Sequence, residues 1–91
     1  MTIPELKERL RNGAYAFPGG YPCYFIAADG EPLSFDAVRS NWREVVWSML
    51  NPGCDVFWEI VECAINWEDE SLYCSHTGKR IESAYGELED D

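Results

Sequence analysis

The chain has 91 residues, of which 46% are apolar and 13 are aromatic, enough for one modest core and too few for a second domain. Seven Lys and Arg face 17 Asp and Glu, for a net charge of −10. That balance argues against direct nucleic-acid binding and against an anionic membrane surface. The imbalance is also local. Residues 1–54 carry six acids and five bases, whereas residues 55–91 carry eleven acids and only Lys79 and Arg80. The acidic tail Glu87-Leu88-Glu89-Asp90-Asp91, with disorder expected over 86–91, accounts for four of those eleven. The remainder of that half is still acidic, which suits a surface complementary to a basic partner.

In chain order, Thr2 with Glu5 three residues later is a capping-box signal for a short N-terminal helix. Pro4 suits its first turn, Leu6 and Leu10 share a face with Ile3, and Asn12-Gly13 stops it. Ala14 to Phe17 reads as extended, Pro18-Gly19-Gly20 as a turn, and Tyr21 to Ala27 as a strand. Asp29-Gly30 marks a hairpin, with a short return strand over Glu31 to Ser34 in which Pro32 implies an edge.

Ser34 or Asp36 then caps one main helix. Phe35, Val38, Trp42, Val45, Val46 and Met49 form its apolar face, and Arg39, Arg43, Glu44 and Ser48 point away. Trp47 and Leu50 fall off that stripe, so they either widen it or form an exposed, self-associating patch. Asn51-Pro52-Gly53 ends the helix. Val56 to Trp67 is apolar at both parities, which predicts a central strand. An acidic loop, Trp67-Glu68-Asp69-Glu70-Ser71, follows. Leu72-Tyr73-Cys74 and Lys79-Arg80-Ile81 flank a tight turn at Ser75-His76-Thr77-Gly78, and Ile81 to Tyr85 ends as a helical turn or extended. The expected architecture is α+β, a single domain over residues 1–91. It has a three- to four-stranded, mostly antiparallel sheet, one main helix packed on it and a short N-terminal helix.

Chemistry-bearing motifs are few. The one histidine, His76, has no carboxylate placed to orient its ring, so no catalytic residue is assigned and no enzyme is expected. No glycine motif cradles phosphate, and no cofactor is implied. The aromatics lie among Glu and Asp rather than Lys and Arg, unlike a stacking platform for single strands. No leader and no run long enough to span a bilayer is visible, so a cytoplasmic setting with reduced cysteines is expected. The four cysteines, Cys23, Cys54, Cys63 and Cys74, include no C-x-x-C pair. Cys74-Ser75-His76-Thr77-Gly78-Lys79 has the outline of a zinc knuckle with Thr77 where the second thiolate belongs. The matching half-site, at Ser34 and Ala37, has no thiolate, so no metal ligand set is assigned.

Phe17-Pro18-Gly19-Gly20-Tyr21-Pro22, Asp29-Gly30-Glu31-Pro32-Leu33, Asn66-Trp67-Glu68-Asp69 and the run Cys74 to Tyr85 resemble small acidic hypothetical proteins of bacteriophages and prophages. The resemblance covers roughly residues 3–85 and implies the order strand, short helix, strand. It also implies Cys-x-x-Cys pairs at Ser34/Ala37 and Cys74/Thr77, and this chain departs at three of those four positions. It implies no activity.

Size, charge and this resemblance together suggest an anti-CRISPR-like protein, acting in the bacterial host cytoplasm as a monomer or homodimer. Its expected partner is a basic host protein or ribonucleoprotein complex, with a CRISPR effector favoured because such effectors hold nucleic acid in basic channels. Glu68, Asp69 and Glu70 are the expected contacts, with Trp67 and Tyr73 as aromatic anchors. The alternative is a degenerate zinc-ribbon-like structural or accessory phage protein without an inhibitory role.

Overall fold

The Thr2 signal produces its helix in the computed structural model, which describes residues 1–13, 15–16, 21–69 and 71–82. Helix α1 spans Ile3–Asn12. The Thr2 hydroxyl accepts from the Glu5 N–H at 3.2 Å, and the Thr2 N–H donates to the Glu5 carboxylate at 2.9 Å. Both bonds satisfy donors that a helix start leaves open. They also hold the Glu5 carboxyl below its ordinary pKa. Leu6 is fully buried, and Leu10 packs against the core.

Among the described residues four strands follow the sheet pattern expected: β1 (Tyr15–Ala16), β2 (Tyr21–Ala27), β3 (Pro32–Leu33) and β4 (Ile60–Ile65). Every one of β1, β3 and β4 pairs antiparallel with β2. The β2–β3 hairpin turns through Gly30, whose φ of 86° is the left-handed region that L side chains avoid. The Asp29 carboxylate accepts from the Glu31 N–H at 3.0 Å, fixing the turn from within. Phe25 sits opposite both Leu33 and Cys63, at the middle of the sheet.

The helix expected over 35–50 is two helices, α2 (Phe35–Ser40) and α3 (Trp42–Leu50). Ser34, not Asp36, is the cap of α2, its hydroxyl accepting from the Ala37 N–H at 3.1 Å. The break is at Asn41, whose side-chain amide and backbone N–H both donate to the Ala37 carbonyl, at 2.9 and 3.1 Å. An Asn side chain competing for a helix carbonyl is a familiar helix breaker. The break changes the helical phase. Ser48, expected to face solvent, is buried beside Val45 with its hydroxyl unpartnered. Trp47 and Leu50 are exposed and do not widen the buried stripe. The Arg39 guanidinium donates to the Leu10 carbonyl at 2.7 Å and so ties α2 to α1.

The strand expected over 56–67 begins only at Ile60 and pairs on one side, with β2. Among the described residues β4 is therefore an edge strand, and β2 is the central one. Phe57 and Trp58 leave the extended path and meet each other edge to face, ring centroids 4.9 Å apart, with His76 5.0 Å from the Trp58 ring. That contact buries Trp58 and uses the chain's one histidine in packing.

The last feature among the described residues is the hairpin over 72–81, with Tyr73 bridged to Arg80 as expected. It docks on β3 through the Ser75 N–H, which donates to the Pro32 carbonyl at 2.9 Å. The extended piece at Ala14 and Phe17, the turn at Pro18-Gly19-Gly20, Glu70, the segment from Ser83 to Tyr85 and the acidic tail over 86–91 lie outside the described residues. Among the described residues no helix is long and apolar enough to cross a membrane.

Candidate functional site: the acidic loop and the Cys74 cradle

The chain leaves β4 at Asn66, whose backbone N–H still donates to the Pro22 carbonyl at 2.9 Å. Asn66 is buried, at 3% exposure, and its side chain bonds to Asp69, Ile81 and Glu82. Its amide donates to the carbonyls of Asp69 (3.0 Å), Ile81 (3.3 Å) and Glu82 (3.1 Å). Its carbonyl oxygen accepts from the Asp69 N–H at 3.1 Å. One asparagine therefore closes the loop on itself and fastens it to the end of the 72–81 hairpin. Asp69 closes the next turn, accepting from the Ser71 N–H and hydroxyl, each at 2.9 Å.

Of the expected contact residues, Trp67, Glu68, Asp69 and Tyr73 are all exposed. Trp67 is 46% exposed while its ring rests on Tyr21, centroids 4.8 Å apart. Tyr73 is 51% exposed. Asp69 and Glu62 lie close enough to Tyr24 to add to the effect of burial in raising its phenol pKa. Residues 67–69 thus present carboxylates beside the Trp67 ring on a turn closed by Asn66. In the sequence Asn66 stands out only as the start of the run Asn66-Trp67-Glu68-Asp69, with no role attached to it. Its signal is the Asn-x-x-Asp spacing, which permits a side-chain-closed turn.

Three of the four knuckle-like positions, Ser34, Cys74 and Thr77, come together. Cys74 is 1% exposed, and its sulfur accepts from the Ser34 N–H at 3.3 Å and the Thr77 N–H at 3.5 Å. Gly78, with φ of 76°, makes the turn that aims Thr77 at the sulfur. Burial alone would push the Cys74 thiol up. The hydrogen bonds from Thr77 and Ser34 overcome it and bring the pKa down to about 7. Three of the four positions, Ser34, Ala37 and Thr77, offer no thiolate, and among the described residues no group of three or more His, Cys, Asp or Glu converges. These residues do not fit a tetrahedral zinc ion. The cradle instead donates its hydrogen bonds to one thiolate, joining the β3–α2 corner to the 72–81 hairpin.

This has a sign in the pH dependence of stability. A thiol whose folded pKa is about 7, against an ordinary 9.0, stabilises the fold fully above pH 9 and loses that contribution as pH falls through 7. Unfolding free energy is expected to rise by about 2–3 kcal/mol at most between pH 7 and 9. Cys74→Ala is expected to flatten that rise, which urea titrations across the range will read. Cys63 acts in the opposite sense above pH 9. Burial, then the charges of Cys23 and Glu62 against that of Arg9, leave its pKa at about 11, so its contribution fades as pH climbs through that value.

Compared with family models, with curated proteins and with solved structures, the chain matches none.

Proposed function

We propose that this chain is a non-enzymatic, acidic binding protein that occupies a basic surface of a host nucleic-acid-binding defence complex, a CRISPR effector being the favoured class, in the bacterial cytoplasm. The observation that carries the reading is the loop held by Asn66, which keeps Trp67, Glu68 and Asp69 exposed on a fixed backbone. A loop already ordered when free loses less entropy on binding. Its carboxylates, within a half of the chain at net −9, steer encounter with a basic surface. Trp67 and Tyr73 supply the aromatic area that interface hot spots favour. Glu70 adds a further carboxylate to the same stretch of sequence.

The test is capture from nuclease-treated bacterial lysate on the immobilised protein, with elution by rising salt and identification by mass spectrometry. A nucleic-acid-binding complex that nucleic acid displaces from the protein is the expected result. Glu68→Lys combined with Asp69→Asn, which keeps the acceptor that closes the loop, is expected to weaken that binding about tenfold, mostly in the association rate. Unchanged affinity in this variant, or no such complex in the eluate, overturns the reading.

A further inference from the structure

We infer that Cys23 and Cys63 form a binding site for a soft, two-coordinate metal cation, copper(I) being the ion whose chemistry fits. The register places them together. Cys23 lies opposite Ile65 and Cys63 opposite Phe25, so the two cysteines are diagonal neighbours on one face of the β2–β4 pair. The Cys23 thiol is near enough to Cys63 to help raise its pKa, and it donates to the Tyr21 carbonyl at 3.5 Å. Both cysteines are half-buried. Cys23 lines a surface cavity of about 270 Å³ shared with α2 and the 72–81 hairpin, and Cys63 lines another of about 470 Å³ beneath α1.

Geometry separates metal binding from a disulfide. Diagonal neighbours across an antiparallel pair have Cα atoms about 7–8 Å apart. A disulfide needs about 4.4–6.8 Å, so closing one would pull the two strands out of register. A metal bridging two sulfurs through bonds of about 2.3 Å spans up to about 4.6 Å between them, which the diagonal accommodates. Among the described residues no third His, Cys, Asp or Glu joins the pair, so ions that require four ligands are not served. Copper(I) is stable with two thiolates, and thiolate ligands select it. Binding is a ligand exchange with no change of oxidation state. Two S–H protons leave to solvent, two Cu–S bonds form, and copper(I) stays copper(I). The resulting site carries one negative charge, and the wall of the Cys63 cavity holds Arg9 together with Glu5, Glu8 and Glu62.

The experiment titrates the reduced, full-length protein without oxygen against a chromophoric copper(I) chelator. One equivalent of copper(I) is expected to leave the chelator for the protein. Cys23→Ser and Cys63→Ser are each expected to weaken retention at least 100-fold, while Cys54→Ser and Cys74→Ser retain it, with circular dichroism confirming the fold. X-ray absorption of the wild-type adduct, which depends on no variant, is expected to show two sulfur neighbours and no more. The inference is overturned if the protein removes no copper from the chelator, or if Cys23→Ser and Cys63→Ser retain it like wild type. A copper neighbour count of three or four overturns it too. So does quantitative formation of a Cys23–Cys63 disulfide by oxidised glutathione in the folded protein, because the separation argument would then fail.

Discussion

Asn66→Asp is expected to destabilise the domain by about 3–5 kcal/mol at pH 7, the cost of an unpaired buried charge. The substitution is nearly isosteric, so packing is preserved and chemistry alone changes. The Asn66 amide donates to three carbonyls, those of Asp69, Ile81 and Glu82. A carboxylate in its place has no proton to donate and confronts three oxygen dipoles in a chain already at −10. The introduced carboxyl has a folded pKa above its unfolded one, so the variant recovers stability as pH falls toward 5. Asn66→Ala, which leaves carbonyls unsatisfied but adds no charge, is expected to cost less, about 2–3 kcal/mol, and to show no such recovery. Urea titrations of the three proteins at pH 7 and pH 5 distinguish these outcomes. Equal losses for Asp and Ala at pH 7 would show that Asn66 contributes shape rather than donors.

Phe25→Ala is expected to cost about 3–5 kcal/mol, the range for removing a buried aromatic ring. Phe25 is fully buried on the central strand. It stacks on Phe35, with ring centroids 4.3 Å apart and planes inclined by 22°. Phe35 is the first residue of α2, so this one contact fixes the helical layer to the sheet. In a domain of this size the loss corresponds to a Tm lower by about 20 °C, readable by calorimetry or by the circular dichroism of the melt. Phe25→Leu keeps most of the volume and is expected to cost less than half as much. A small effect of Phe25→Ala would mean that the neighbouring side chains collapse into the space.

The parts of the fold legible in the sequence are those written by neighbouring residues. Thr2 and Glu5 cap α1 within one turn, Asp29-Gly30 closes the hairpin, and Ser34 caps α2 three residues ahead of the N–H that it binds. What escaped depends on distant partners. The apolar stripe from Phe35 to Met49 gives no sign that the Asn41 amide will take the Ala37 carbonyl and turn Ser48 inward. Apolar residues at both parities in 56–67 suggested a central strand, but Phe57 and Trp58 are spent on His76, 18 residues later in the case of Trp58. The exposed acidic loop was legible because charge and turn residues are local. Its fastening by Asn66 to Ile81 and Glu82 was not, nor was the meeting of Cys23 with Cys63 across 40 positions.

That β2–β4 pairing also shapes how the chain reaches its fold. The β2–β3 hairpin and the three helices are built from short-range contacts, which form early and at little entropic cost. Joining Ala27 to Ile60 must close a loop that contains β3, α2 and α3. Loop closure grows costlier with length only slowly, and structure already formed inside the loop shortens it further. Docking of β4 is therefore the long-range step of the fold, and the shift in register between Ile26 and Ala27 offers a landmark against sliding by a residue. Residues 67–69 continue directly from β4, so their placement waits on that long-range pairing.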